Sequence, residues 1–394
     1  MEDQAVTNFR EYLRITTVHP NPDYDGALAF LEEIAKEIEL PYKIIEVFPE
    51  RKVLIMTWEG QEPTLPSVLL NSHTDVVPVF PEGWKVDPFS AEKMPNGDIY
   101  ARGTQDMKSV GIQYLEAVRR LKSQGTTFKR TIHLTFVPDE EIGGVKGMKM
   151  FLDHEEFKKL NIGFALDEGL ANPKDTFTVF YGERAAWRVW IQCTGNPGHG
   201  SRFIENTAAE KLRRVINSFL DFRGMEEKKL KDTGCLRLGD VTTLNLTMLE
   251  GGIQFNVVPS KLFAGFDIRI APTVDLAVFE DTIKSWCEEA GEGVTYEFHQ
   301  KGMCQTLTRT DDDDIWWKAF SSACSGMGMT LEKEIFPAAT DSRSLREAGY
   351  PAIGFSPMNN TPILLHDHNE FLNEAVFLKG IEIYCGIIPA LANA

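Results

Sequence analysis

Imidazoles and carboxylates recur in this chain at the ends of short apolar runs. The run 67–70 breaks into Asn71-Ser72-His73-Thr74-Asp75, the run 131–137 leads into Pro138-Asp139-Glu140-Glu141, and 162–166 ends in Asp167-Glu168-Gly169. Asp106 directly precedes a helical pattern, and His366 follows the run 352–356 across a loop. Apolar runs without polar alternation read as strands buried on both faces. In open α/β sheets, ligands bind beyond the carboxyl ends of such strands. If the strands are parallel, these side chains share one edge of the sheet. Imidazole and carboxylate donors without thiolate suit zinc, manganese or cobalt. No H-E-x-x-H or C-x-x-C sets the metal by local spacing. Each residue alone has a structural alternative. Asp106 reads equally as a helix cap, Glu140 and Glu141 as a solvated turn, and His73 as a hydrogen-bonded core histidine. The conjunction of several buried strands ending in ligand-type residues is what favours a site.

The elements that must position these groups follow an α/β rhythm. Helical spacing marks 6–13 and 28–38, with Asp25 as a cap for the second, and strands are predicted at 42–47 and 52–58. After the strand 67–70 a long polar stretch, 78–102, is broken by Pro81, Pro88, Pro95 and Gly97, and loops of that length are usually functional or disordered. A helix then runs from the 103–108 segment to Gly125, and further strand and helix segments alternate up to Glu168. From Trp187 the order changes to strand 187–193, helix 207–223, strands 242–249 and 261–270, helix 274–290 and strand 294–299, which is the ferredoxin-like order. The α/β rhythm resumes after Asp311. The fold expected is therefore α/β, a mainly parallel sheet flanked by helices, with an inserted ferredoxin-like α+β domain. The larger domain would comprise 1–184 and 301–394, and the inserted one 185–300. A chain of 394 residues suits two domains.

A formal net charge of −17 argues against nucleic-acid or anionic-membrane partners, which would repel it. The amino terminus, Met1-Glu2-Asp3-Gln4, lacks the basic and then apolar opening of a signal peptide. No apolar run is read as reaching the roughly 18 residues that span a bilayer. Cys193, Cys235, Cys287, Cys304, Cys324 and Cys385 are widely scattered, which points to reduced thiols and a cytoplasmic setting.

Longer motifs surround the candidate residues: Leu70 through Pro78, Tyr100-Ala101-Arg102-Gly103 with Gln105-Asp106-Met107-Lys108, Pro138 through Glu141, Ala165 through Gly169, Pro337 through Asp341, and Gly354 through Asn359 with Leu364 through His368. In these the chain resembles the dinuclear zinc aminoacylase/carboxypeptidase family, essentially end to end. The resemblance implies a zinc-peptidase-like catalytic domain with two zinc ions per chain about 3.5 Å apart, cobalt or manganese being possible substitutes. Asp106 would bridge them, with His73 and Glu168 completing one site and Glu141 and His366 the other. Glu140 would be the general base acting on a metal-bound hydroxide, and Asp75 would hold His73 by its second ring nitrogen. His199, in Gly198-His199-Gly200-Ser201, would stabilise the oxyanion across a dimer. Asn256 and Arg269 would grip the substrate carboxylate, with a salt bridge to Asp267 as the alternative for Arg269. Thr340 and Arg346 would line the acyl or side-chain pocket.

The implied reaction is hydrolysis of N-acyl-L-amino acids to a free L-amino acid and a carboxylate, by a homodimer joined through the inserted lid domain. A dipeptidase or carboxypeptidase on the same scaffold, or a non-catalytic binding protein, are the competing readings. His133 and His368 read as structural, and His19, His154 and His299 as surface or loop residues.

Overall fold

The computed structural model describes residues 2–234 and 236–394; Met1 and Cys235 lie outside the described residues. The chain forms two compact units. The first runs to Tyr181 and includes Thr308–Lys333 and Thr340–Ala394; the second is Gly182–Leu307 with Glu334–Ala339. The sequence reading placed the breaks at 184/185 and 300/301 and left the last of these segments with the larger domain. Glu334–Ala339 belongs instead with the second unit, where the Arg184 guanidinium donates to the Pro337 carbonyl at 3.0 and 2.7 Å.

The sheet of the first unit has eight strands in the order Tyr42–Phe48, Arg51–Trp58, Ile132–Val137, Ser67–His73, Ile162–Asp167, Ala352–Phe355, Phe177–Glu183 and Leu331–Phe336. Ile132–Val137, Ser67–His73, Ile162–Asp167 and Ala352–Phe355 are mutually parallel, so their carboxyl ends share one edge. Tyr42–Phe48 and Arg51–Trp58 pair antiparallel with their neighbours, and Phe177–Glu183 pairs antiparallel with Ala352–Phe355. The sheet is thus mixed, with parallel order confined to its centre. Tyr42–Phe48 and Arg51–Trp58 are joined by Pro49 and Glu50 alone, and a two-residue connection permits only an antiparallel hairpin.

Side-chain alternation along the central strand builds a core on each face. Val68 and Leu70 join one cluster with residues of the helices Gln4–Arg14, Tyr24–Glu37, Lys108–Ser123, Ile315–Gly326 and Glu374–Ala392. Leu69 faces the other way, among Met148, Phe151, Phe157 and Leu345. Tyr24–Glu37 is capped by Asp23, which accepts from the Gly26 amide, and the expected cap Asp25 lies in its first turn. Lys108–Ser123 passes so close to the end of Ser67–His73 that a Cβ on Gly111 would lie 2.8 Å from Ser72 Oγ. Glu374–Ala392 is, by length and composition, apolar enough to cross a membrane, contrary to the sequence reading. In this fold its Phe377, Ile381, Tyr384, Ile387, Ile388 and Leu391 are buried in the core of the first unit.

The second unit carries a four-stranded antiparallel sheet in the order Thr243–Gly251, Lys261–Ile270, Ala185–Thr194 and Val294–Lys301. Trp187, Val189, Ile191 and Cys193 alternate onto one face and pack with residues of Ala208–Thr233 and Leu276–Ala290. Ala208–Thr233 begins at a Thr207 and Glu210 capping box and continues past the expected end at 223, because its polar later turns carry no apolar periodicity to read.

His133 is buried in the sheet of the first unit, with Nδ1 beside Thr57 Oγ1 at 3.0 Å and Nε2 beside the Leu160 carbonyl at 3.2 Å. Burial lowers its pKa from 6.5 to about 4. The folded chain keeps the ring neutral while the unfolded chain protonates it at the ordinary value, so unfolding takes up a proton between those limits. The contribution is complete above pH 6.5 and is lost as pH falls towards about 4, at roughly 1.4 kcal/mol per pH unit. Urea unfolding of His133→Gln should show a shallower fall in stability across this window than the wild type. An equal slope in both proteins would contradict this account.

Candidate metal centre and active site

The edge formed by the parallel strands gathers the predicted groups around Asp106. Asp106 Oδ1 lies 2.9 Å from His73 Nε2, and Oδ2 lies 3.2 Å from His366 Nε2. Glu168 Oε2 is 3.6 Å from His73 Nε2, and Glu141 Oε2 is 3.0 Å from His366 Nε2. His73, Asp106 and Glu168 therefore form one cluster of donor atoms, and Asp106, Glu141 and His366 form another that shares Asp106. Met107, not Asp106, is the N-cap of Lys108–Ser123 and makes no side-chain cap bond, so the capping alternative for Asp106 does not apply. His366 adopts a φ of +60°, a left-handed conformation in which histidine is enriched but still strained.

His73 sits at the end of its strand with its Nδ1 2.9 Å from the main-chain carbonyl of Asp75. A carbonyl can only accept, so Nδ1 carries a proton, and Nε2, set against the acceptor oxygens of Asp106 and Glu168, must hold either a second proton or a cation between the ring and the acids. The partner expected was the Asp75 carboxylate, but its Oδ1 is 3.7 Å from Nδ1. The carboxylate is held by other donors: Oδ1 accepts from the Glu140 amide at 3.2 Å, and Oδ2 from the Glu141 amide at 3.1 Å and His19 Nε2 at 2.9 Å. Asp75 thus ties the Glu140–Ile142 turn to the end of the central strand. Asp139 fixes the same turn from the other side, accepting from Tyr24 Oη at 2.6 Å and Arg51 Nε at 2.7 Å, in a left-handed conformation that aspartate tolerates.

Electrostatics mark this as a crowded anionic site. Burial, then the Glu168 charge, pushes the Glu140 carboxyl well above its usual range, and burial with Asp106 does the same to Glu168. Burial and Asp106 push Glu141 up to about 7. Its hydrogen bonds to Asp106 and Glu141 raise His366 to about 10. For His73 burial opposes the charged ring, and the Glu168 and Asp106 carboxylates outweigh it. Glu141 Oε1 is buried without a hydrogen-bond partner. A divalent cation in each cluster fits these facts: it would take up the orphaned oxygen, accept the His73 lone pair and reverse the upward shifts.

The other sequence candidates belong to neither cluster. His199 and Asn256 are neighbours in the second unit, where Gly198–His199 pairs with Val257–Val258 and the Gly200 amide donates to the Asn256 carbonyl at 2.8 Å. The Ser201 amide donates to His199 Nδ1 at 3.3 Å, so the exposed ring is left with Nε2 as its N–H donor. Arg269 forms a two-pronged pair with Asp267 at 2.8 and 3.2 Å, the alternative foreseen for it. Thr340 caps Asp341–Glu347. Arg346 is buried and donates to the carbonyls of Ala352 at 3.0 Å and Phe180 at 3.3 Å.

Two groups near the site escaped sequence reasoning. His19, read as a surface or loop residue, is mostly buried against Asp75, and its only sequence cue is a Pro-rich turn. Asn71 spans two acids, donating to Asp167 Oδ1 at 3.1 Å and Asp341 Oδ2 at 3.3 Å while accepting from Thr135.

Residues 69–390 match the peptidase family M20/M25/M40, and the chain belongs to that family. It is similar over its full length to aminoacylase-1 of Mus musculus, 61% identical and covering 96% of that protein. Aminoacylase-1 of Homo sapiens is 58% identical with the same coverage. Among solved structures, an M20 family metallo-carboxypeptidase from Sulfolobus solfataricus shares the fold, with a TM-score of 0.75, 19% identity, and coverage of 99% of this chain and 100% of that one.

Removing the His19 ring would leave the Asp75 carboxylate short of a donor while it still anchors the Glu140 turn. His19→Ala should lower kcat/KM for amide hydrolysis roughly 10–100-fold, the usual effect of losing an outer-shell partner. His19→Gln, whose amide can donate to Asp75, should recover most of it. Wild-type kinetics in His19→Ala would show that Asp75 needs no such partner.

Proposed function

We propose that this chain hydrolyses the amide bond of N-acyl-L-amino acids, releasing the free L-amino acid and a carboxylate. The observation that carries this reading is a pair of metal-ligand clusters sharing Asp106, beside a carboxyl group, Glu140, that belongs to neither. The full-length similarity to aminoacylase-1 supports the substrate class. The chain is a hydrolase of a metal-dependent family, and two zinc ions per chain, replaceable by cobalt or manganese, are the cations we assign to the clusters. Bound there they would acidify water and polarise the acyl carbonyl.

The residues divide the remaining work. Glu140 takes a proton from the attacking water and delivers it to the leaving amine. A carboxylate engaged as a ligand would be a poor base, which is why Glu140 must stay outside both clusters. With cations in place the local field favours its ionised form, as the first transfer requires. Asp75 and Asp139 keep it in position through the backbone of its turn. His199, with Nε2–H facing outward, is assigned to the oxyanion of the tetrahedral intermediate. Asn256 and Arg269 are assigned to the substrate carboxylate, Arg269 exchanging Asp267 for it. Thr340 and Arg346 serve the acyl pocket by holding its wall.

A homodimer through the second unit is supported by its exposed apolar groups. Phe203, Ile253 and Phe255 are almost fully exposed, and the edge strand Thr243–Gly251 presents Met248 and Leu249. A cytoplasmic setting is supported by the free thiols of Cys193, Cys287, Cys324 and Cys385 among the described residues.

Glu140→Gln should lower turnover of N-acetyl-L-methionine by roughly 10²–10⁴-fold while the bound metal, measured by elemental analysis, stays at the wild-type ratio. Near-normal turnover in that variant would remove Glu140 from its role. A substrate panel checks the class: faster hydrolysis of dipeptides than of N-acetyl-amino acids would move the assignment to a dipeptidase.

A further inference from the structure

The loop that carries Asp106 is held by a residue that none of the catalytic motifs includes. Glu370 is fully buried, and its carboxylate collects donors from four consecutive residues and the one after them. Oε2 accepts from Arg102 Nη1 at 2.7 Å and the Gly103 amide at 3.2 Å. Oε1 accepts from the Gln105 amide at 2.7 Å, from Thr104 Oγ1 at 3.3 Å and from the Asp106 amide at 3.4 Å. Gly103 has a φ of +93°, a conformation glycine takes freely and one that helps successive amides converge on one anion. Arg102 then reaches the other side of the site, donating through Nη2 to the His366 carbonyl at 3.3 Å.

Gln105 makes a second fastening between the same two loops. Its Nε2 donates to the carbonyls of Pro362 at 3.0 Å and Phe371 at 2.9 Å, and its Oε1 accepts from the Leu364 amide at 3.0 Å. Phe371–Asn373, directly after Glu370, pairs with Asp98–Tyr100, which Ala101 alone separates from Arg102. The segment before Asp106 and the segment around His366 are therefore stitched together at both backbone and side-chain level.

We infer that Glu370 is a positioning residue for the paired metal site. With Arg102 and Gln105 it fixes the Asp106 loop against the His366 loop, so that the shared carboxylate faces both imidazoles before cations bind. This rests on the metal-site reading above. The physical reason is preorganisation: a ligand whose backbone is already anchored loses little freedom on coordination, and outer-shell partners tune affinity accordingly. A carboxylate is needed because both its oxygens face donors. Glutamine has the same size but turns one acceptor into an NH2 group that must oppose an N–H.

The test is a metal-affinity measurement on the full chain, by competition for zinc or cobalt with a chromophoric chelator, alongside thermal unfolding of the metal-free protein. Glu370→Gln should bind at least one of the two ions roughly 10–100-fold more weakly, while the metal-free unfolding midpoint moves far less than the affinity predicts. Glu374→Gln, which alters a part-buried ion pair to Lys93 on the same segment, should leave affinity unchanged. Gln105→Met, which cuts the second fastening, should shift affinity in the same direction, and it decides the matter should Glu370→Gln not fold. Wild-type affinity in Glu370→Gln, or in Gln105→Met where the first variant is unfolded, would overturn the inference. A wild-type chain that binds fewer than two ions would overturn the metal-site reading itself, a separate outcome.

Discussion

The Asp106 carboxylate, with one oxygen against each of two imidazoles, is the interaction on which the rest of this structure depends. It makes two three-donor clusters out of residues from distant segments, and it repels both Glu141 and Glu168, a repulsion that positive charge must relieve. The folding chain does not remove that repulsion. It builds a frame stiff enough to bear it, and the frame is the parallel centre of the sheet with Lys108–Ser123 packed tightly on Gly111 against its edge.

The frame holds its acidic groups by a repeated device. Asp75 accepts from the Glu140 and Glu141 amides, Glu370 from the loop before Asp106, and Asp167 from the amide and hydroxyl of Ser342 at 2.8 Å each. In each case a buried carboxylate is anchored to backbone or hydroxyl donors, and Glu370 takes the Arg102 guanidinium in addition. Arg102 is paired with Glu370 and is thereby kept from neutralising Asp106. The polarity of the site follows: anchored carboxylates behind, and ligand carboxylates with lone pairs to spare in front.

Much of this was legible in the chain. Uninterrupted apolar runs marked the central strands, and the residue types just beyond them marked the ligand candidates, because strand ends in a parallel sheet share an edge. The second unit was legible from its alternating strands and amphipathic helices. The antiparallel pairing of Phe177–Glu183 was not, since an apolar run has no direction, whereas the short link at Pro49 and Glu50 leaves Tyr42–Phe48 and Arg51–Trp58 only a hairpin. Neither was the partner of His73: a carbonyl and a carboxylate of the same residue are indistinguishable in sequence, and only geometry put Asp75's main chain on the ring and its side chain on the Glu140 turn. His19 and Glu370 were missed for a related reason. Each works through a neighbour some 50 or more residues away, His19 across a separation of 56 and Glu370 across 268 to Arg102, and nothing local distinguishes it from a turn residue.

What the sequence by itself determined is the inventory: which imidazoles and carboxylates follow which buried strands, and so the class of chemistry available. Residue type and apolar periodicity are local properties, carried by the chain in any conformation. What only the tertiary structure decided is the pairing: which oxygen of Asp106 meets which ring, which nitrogen of His73 meets the main chain and which the acids, and which carboxylates anchor rather than coordinate. Those depend on distances of about 3 Å between segments far apart in the chain, the range over which hydrogen bonds form, and such distances exist only once the sheet and its helices have packed.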